Sequence, residues 1–409
     1  MFWKSAPTVS TDKKKIDDLL SRSVAEVIPS KEGLKKELLS GRRLRIYIGT
    51  DATGTSLHLG HATNYMILER LRRLGHEVIF LIGDFTSRIG DPTDKSDAAR
   101  KQLTRDEVVR NTQTWIKQVE PVIDVRSREN PVKILYNDVW LSKLTFEDVI
   151  NIASHFTVQH MLERDMFEKR LNENKPLYLH ELFYPLMQGY DSVAMDVDVE
   201  MCGNDQKFNA LAGRTLLRRM KDKEKFVFIT TLLENPKTGE KMMSKSLGTG
   251  VFLDASAEDM YGGIMAQPDE NMQQLFVDCT WLELPEIEKI LTGRPIDVKK
   301  RLAYEITAIY HGKDIAEKAH QNFDNTFSKG GFSEDIKTIE VHGDYSLVDV
   351  LLEQGLVSSR GEFNRLEKAG AIKITEVDMT PATPVPTSVP SKATVIRVGK
   401  HRFIRILHN

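Results

Sequence analysis

Apolar side chains recur along this chain with two different periods, and each period marks a different kind of element. IDDLLSRSVAEVI (16–28) carries them at helical spacing, which predicts a polar, helical arm over residues 1–41. RLRIYIGT (43–50) reads as a strand, and HATNYMILERLRRLG (61–75) as an amphipathic helix closed by Gly75. EVIFLIGD (77–84) is an unbroken apolar run of strand length, and VKILYND (132–138) and KFVFITTLL (225–233) read as further strands. Continuous apolar strands alternating with helices belong to a parallel sheet covered on both faces. Residues 255–329 carry a helical pattern throughout, including KRLAYEITAIYHG (300–312) with its glycine stop. The fold class is therefore α/β. Three units follow the arm: an α/β domain at 42–253, a helical domain at 254–335 and a small module at 336–409.

Composition narrows the classes. With 40% hydrophobic and 28% charged residues the chain is neither disordered nor membrane-embedded, and its longest apolar stretches are too short to span a bilayer. Lys13 to Lys15 have no apolar signal-peptide core behind them. Two cysteines, Cys202 and Cys279, cannot build a disulfide framework or a zinc ribbon, so a reducing, cytoplasmic location is expected. The formal charge of −2 excludes a global field for nucleic acid, yet a local basic patch exists. Lys392, Arg397, Lys400, Arg402 and Arg405 stand in 392–409 without an acid, behind the proline-rich linker MTPATPVPTSVPSK (379–392).

Chemistry concentrates in two loops. DATGTSLHLGHATNY (51–65) lies between the first strand and its helix, where open α/β sheets hold their ligands. His58 and His61 flank Gly60 at a helix start, where free N–H groups favour phosphate, and an imidazole can donate to a phosphoryl oxygen in a pentacoordinate transition state. Zinc ligation would need a further His or Cys cluster, and none completes the site. GEKMMSKSLGTG (239–250) follows an apolar strand and offers Lys245 as a point charge, with Ser244 and Ser246 as hydrogen-bond donors for phosphate. A lysine-rich loop alone would read as a solvated surface. Its pairing with the histidine loop favours a nucleotide site.

HLGH followed by MMSKS resembles the paired signature motifs of class I aminoacyl-tRNA synthetases. More specifically, the chain is similar to the bacterial tyrosyl-tRNA synthetases along nearly its whole length. YIGTDATGTSLHLGH, IGDPT (89–93), ELFYPLMQGYDS (181–192) and CGNDQKFN (202–209) match that family's ordered motifs. The resemblance implies a Rossmann-like catalytic domain, an α-helical domain near the anticodon stem and an S4-like RNA-binding domain. It implies activation of L-tyrosine with ATP, carried with Mg2+ rather than by a protein-liganded metal, then transfer to tRNA(Tyr) by a homodimer with no membrane role.

Carried over by position, the resemblance puts Tyr47 and Asp191 on the substrate phenol and Asp91, Tyr184 and Gln188 on its ammonium. Tyr184, Gln188 and Asp191 stand at i, i+4 and i+7, one helix face, and two polar groups on such a stripe are poor core material. Asp51, Gly60, Gly203, Asp205 and Gln206 would line the ATP site. His58 with Thr53 would contact the γ-phosphate, His61 the nucleotide, and Lys245 and Lys95 the leaving pyrophosphate, with Arg100 as a companion. The first lysine of the family's second motif is replaced by Met242, with Lys241 one place earlier. Glu200 stands where some members have glutamine, and Cys202, in place of a glycine, reads as a packing residue.

SLVDVLLEQGLVSSRGEFNRLEKAGAIKI (346–374) resembles the S4-like RNA-binding unit: two short helices, a turn at Gly355, and Gly370 leading into a strand. Ser359, Arg360, Asn364, Arg365 and Lys368 line one helix, able to hold phosphates without reading bases. The basic strand VIRVGKHRFIRI (395–406) would complete it. Two rival readings exist. A tryptophanyl-tRNA synthetase shares the fold and both motifs but is not expected to pair Tyr47 with Asp191. A catalytically silent RNA-binding protein would not need His58, His61, Asp91, Gln188, Asp191 and Lys245 intact.

Overall fold

The computed structural model describes residues 7–51, 55–90, 104–233, 250–327, 338–341, 346–357, 359–368, 371–374, 394–398 and 402–408. Its larger sheet has six strands: β1 (Val24–Ile28), β2 (Arg45–Thr50), β3 (Glu77–Ile82), β4 (Lys133–Tyr136), β5 (Val199–Gly203) and β6 (Phe226–Thr230). They lie in the order β1-β6-β5-β2-β3-β4, with β2 to β6 parallel and β1 antiparallel at one edge. The central strands are apolar on both faces because helices cover both, and Val78, Phe80, Ile82, Val227 and Ile229 are all buried.

Two strands of this sheet depart from the sequence expectation. The segment read as one helix over 16–28 divides into helix α1 (Lys13–Leu20) and β1. Ser21 caps α1, and Ser23 takes a left-handed backbone (φ 51°) that turns the chain out of the helix. VAEVI, rich in β-branched residues, then pairs with the open edge of β6, whose backbone groups would otherwise face water. β5 was hidden inside a segment read only as a motif, since its five residues are too few to show a period.

Helices α2 (Lys31–Leu39) and α3 (Leu59–Arg73) flank β2, and α4 (Thr86–Ile89) and α5 (Arg105–Val119) follow β3. Between β4 and β5 run α6 (Asp138–Leu141), α7 (Phe146–Ala153), α8 (Val158–Leu162), α9 (Asp165–Asn172) and the long α10 (Leu179–Met195). α11 (Lys207–Lys221) leads into β6. The predicted helical stretch contains α12 (Ala257–Met265), α13 (Met272–Cys279), α14 (Leu284–Leu291), α15 (Pro295–His311) and α16 (Lys313–Phe327). Its buried side chains, such as Tyr261, Phe276 and Leu302, join the same apolar cluster as those of the sheet.

The C-terminal part has its own core. Strands β7 (Thr338–Val341), β8 (Ile372–Ile374), β9 (Thr394–Val398) and β10 (Arg402–His408) form a sheet in the order β7-β10-β9-β8. Helices α17 (Leu347–Glu353) and α18 (Arg360–Lys368) supply Leu347, Leu351 and Phe363 to that core. Gly355 turns with φ +70° between the helices, a conformation glycine adopts without cost. The basic segment expected as one strand is an antiparallel pair, β9 and β10, with Phe403 opposite Arg397. Both proline-rich residues 381–390 and Gly370 lie outside the described residues.

Candidate active site

The strand order reverses between β2 and β5: the chain leaves β2 toward β3 on one side and later returns to β5 on the other. Loops diverge at such a point and leave a crevice at the carboxyl ends of the strands. Asp51, Gly83, Asn137 and Gly203 all sit at or just past those ends.

His58 caps the N-terminus of α3, one turn before His61, and the two ring centroids are 3.9 Å apart. The backbone N–H of His58 donates to His61 Nδ1 at 3.2 Å, so a neutral His61 carries its proton on Nε2. The loop is clamped from the far side. Leu59 donates to the carbonyl of Val251 (3.0 Å) and Leu253 to that of Leu57 (2.9 Å), with a bridge between His58 and Phe252. The chain emerging from the MMSKS segment is thus bonded directly to the histidine loop. Gly60 opens α3 between the two histidines.

Past β2, Asp51 accepts from Thr86 Oγ1 at 2.7 Å and from Tyr184 Oη at 2.9 Å. Gly83 makes this contact possible, because a Cβ there would run into Asp51 Oδ1 and Thr86 Oγ1. Tyr184, Gln188 and Asp191 share a face of α10, as their spacing predicts.

Asp191 is buried and accepts from Trp140 Nε1 (2.7 Å) and Asn137 Nδ2 (3.2 Å). Burial pushes its carboxyl well above the usual range against those two N–H groups, and the carboxylates of Glu200 and Asp51 add to the rise. Tyr47 is fully buried on β2, with Oη 3.0 Å from Ser192 Oγ. Its phenol is likewise held well above the ordinary value, first by burial and then by the charges of Glu200 and Asp191, so it stays protonated.

Gln188 is fixed at both ends: Nε2 donates to Glu200 Oε1 (3.2 Å) and Oε1 accepts from Asn209 Nδ2 (2.9 Å). Asn209 also donates to Gln206 Oε1 at 2.8 Å. Gly203 ends β5, and a Cβ there would stand 2.6 Å from Asp205 Oδ1, so its bareness serves the Asp205 carboxylate directly. The Cys202 thiol is buried and pushed well up by desolvation, which makes it inert packing.

Thr53, Asp91, Lys95, Arg100, Lys241, Met242, Ser244, Lys245 and Ser246 lie outside the described residues. In the C-terminal part Arg360 is exposed on α18 and donates to Asp349 Oδ1 at 2.6 Å. Arg365 is exposed on the same helix, and the side chain of Lys368 lies outside the description. Sequence reasoning missed Thr86, Asn137, Trp140, Ser192 and Lys225. Asn137 and Trp140 follow a strand end at β4, and that position was the one signal that could have found them.

Similarity to known proteins converges on one group. Residues 39–328 match the family model for class I tRNA synthetases (W and Y). The tyrosine–tRNA ligase of Nitratidesulfovibrio vulgaris is 43% identical over 397 residues, covering 95% of this chain and 97% of that one. That of Moorella thermoacetica is 39% identical over 399 residues, covering 95% and 94%. Among solved structures, a C-terminally truncated mitochondrial tyrosyl-tRNA synthetase of Aspergillus nidulans superimposes with a TM-score of 0.65. It is 24% identical, covering 76% of this chain and 94% of that one, a likeness of fold.

Proposed function

The chain belongs to the tyrosyl-tRNA synthetases of class I, and from that membership and the geometry of the cleft we infer that it joins L-tyrosine to tRNA(Tyr) in two steps. In the first, a tyrosine carboxylate oxygen attacks the α-phosphorus of ATP, and pyrophosphate leaves with the electrons of the broken P–O bond. In the second, a hydroxyl of the terminal tRNA ribose attacks the activated carbonyl and AMP leaves. The observation that carries this reading is the burial of Tyr47 and of Asp191, whose charge acts on the Tyr47 phenol, with the rest of a polar face of α10 at the sheet's crossover point.

Each side chain has the hydrogen-bonding capacity its role needs. Asp191 accepts the phenolic proton, and Tyr47 meets the phenolic oxygen. Tyr184 gives its one proton to Asp51, and its hydroxyl oxygen is a group of the kind that accepts from the substrate ammonium. Gln188 Oε1 keeps a second lone pair for the same cation, with Asp91 as its charge partner. A phenylalanine side chain would leave unmade the bonds that Asp191 and Tyr47 each offer to the substrate hydroxyl, which is how the pocket excludes it.

ATP lies against Asp51, Gly60, Gly203, Asp205 and Gln206, its Mg2+ riding on the phosphates as part of the substrate. His58 and His61, set on a helix N-terminus, donate to phosphate oxygens, joined by Thr53, Lys95 and Lys245. These groups gain most as charge moves onto pyrophosphate, and that differential binding lowers the barrier. No general base is required for this first step, since the tyrosine carboxylate is already ionised.

The C-terminal part is read as an S4-like tRNA clamp, with Arg360, Arg365 and Lys368 on phosphates; Arg360 would exchange Asp349 for phosphate. We assign a homodimer, supported by exposed apolar side chains in one stretch of chain: Val139, Phe146, Ile150, Val158, Leu171 and Leu179. No described helix is long and apolar enough to cross a membrane, and both cysteines are free and buried, which suits a cytoplasmic enzyme.

ATP–pyrophosphate exchange with each of the twenty amino acids tests the whole reading. Exchange with tyrosine alone, lost by about 100-fold or more in His58→Ala, is the expected result. Exchange with tryptophan instead, or with nothing while tRNA still binds, would overturn it.

A further inference from the structure

A lysine lies under the pocket with no exposed surface. Lys225, the residue before β6, contacts the buried Glu200 carboxylate and donates to Ser192 Oγ at 2.8 Å. Ser192 Oγ lies 3.0 Å from Tyr47 Oη and 3.3 Å from Glu200 Oε2. The cluster joins four elements: Tyr47 on β2 stands in register with Glu200 on β5, Ser192 neighbours Asp191 on α10, and Lys225 leads into β6. On α11, Gly213 leaves the room. A Cβ there would stand 2.6 Å from Lys225 Nζ and 2.8 Å from Ser192 Oγ.

An ammonium only donates, so Ser192 Oγ must accept from Lys225. The serine hydroxyl then has one hydrogen and two possible acceptors. If it goes to Glu200, Tyr47 donates back to Ser192 and can offer a ligand only lone pairs. If it goes to Tyr47, the tyrosine proton has two acceptors before it, the Glu200 carboxylate, with which the Tyr47 hydroxyl also interacts, and the pocket. Glu200 is already served by Lys225 and by Gln188 Nε2, and Tyr47 Oη is the nearer acceptor.

We propose that Lys225 is a positioning residue for amino-acid selection. By neutralising Glu200 and donating to Ser192, it orders a one-way chain of hydrogen bonds, Lys225 to Ser192 to Tyr47. Tyr47 then gives its proton to the oxygen of the bound phenol, whose own proton goes to Asp191. This rests on the tyrosine reading of the pocket. A neutral, unpaired end to the chain would let the Glu200 carboxylate draw the serine and tyrosine protons toward itself, turning Tyr47 into an acceptor.

The test is pyrophosphate exchange with tyrosine and with phenylalanine on Ser192→Ala, Lys225→Met and Lys225→Gln, with Ser192→Ala repeated in a Tyr47→Phe background. Ser192→Ala breaks the chain but keeps the ion pair, so it remains informative if Lys225→Met fails to fold. Ser192→Ala and Lys225→Met are expected to raise KM for tyrosine about tenfold, the worth of one buried hydrogen bond, with kcat and phenylalanine kcat/KM within about twofold. Lys225→Gln, which keeps an N–H donor but not the charge that neutralises Glu200, should raise KM for tyrosine less than Lys225→Met does. In the Tyr47→Phe background Ser192→Ala should add nothing. Equal losses for both amino acids, or an undiminished loss without the Tyr47 hydroxyl, would overturn the proposal. A wild type that does not exchange with tyrosine would instead strike the reading of the pocket itself.

Discussion

Tyr184 Oη donates to Asp51 Oδ2 at 2.9 Å, tying the helix proposed to carry the amino-acid face to the strand end that opens the proposed nucleotide loop. The two halves of the site are therefore one hydrogen-bonded unit, and a change at either residue is felt at both.

Tyr184→Phe removes one acceptor for the substrate ammonium and one of the donors to Asp51. The expected effect is a rise in KM for tyrosine of about 5- to 30-fold, corresponding to about 1–2 kcal/mol. Steady-state exchange kinetics check it; an unchanged KM for tyrosine would remove Tyr184 from the ammonium site.

Gly83→Ala places a methyl group against Asp51 Oδ1 and Thr86 Oγ1. Asp51 must move, so tyrosine activation should fall by at least about tenfold while unfolding free energy drops by about 1–3 kcal/mol through overpacking. A variant as active as the wild type would show that Asp51 is not held where the chemistry needs it.

Acid stability should depend on His76. It is fully buried, its Nδ1 accepts from the Leu44 N–H, and burial, helped by Arg43 and Arg42, lowers its pKa to about 4 from 6.5. Between those values the unfolded chain takes up a proton that the native protein refuses. Stability is therefore complete above about pH 6.5 and falls as pH drops toward 4, by up to about 3 kcal/mol. Urea titrations of the wild type and His76→Asn at pH 7 and pH 4.5 should show a shallower pH dependence in the variant.

Breaking the buried Glu200–Lys225 pair from one side leaves an uncompensated charge. Lys225→Met should lose about 3–5 kcal/mol of stability, and the double variant with Glu200→Met should recover at least half of it. Chemical denaturation of both proteins decides; a double variant no better than the single one would mean that packing, not charge, sets the cost.

Phe146 is 80% exposed, which is unusual for so large an apolar side chain on a free surface. If the proposed dimer forms through this face, Phe146→Asp should shift the protein from dimer to monomer in sedimentation velocity and reduce aminoacylation with it. A variant that sediments like the wild type would move the interface elsewhere.

Local pattern made much of this protein readable. β2, α3, β3, β4, β6 and the helices from α12 to α16 follow from periods contained within single elements, and their glycine stops are visible in the chain. Tyr184, Gln188 and Asp191 were placed on one face by counting along a helix, and the two histidines by their position at a helix start. None of this needed information from a distant residue.

Tertiary structure decided the rest, because it depended on partners far away in sequence. VAEVI becomes a strand only because β6 offers an open edge. Asp191 gains its N–H donors from Asn137 and Trp140, more than fifty residues earlier. Lys225, which any sequence reading would leave on the surface, is buried because Glu200, Ser192 and the bare backbone of Gly213 meet it from three other elements. A period along the chain records which face is apolar; it cannot record which charged group waits on the other side of that face.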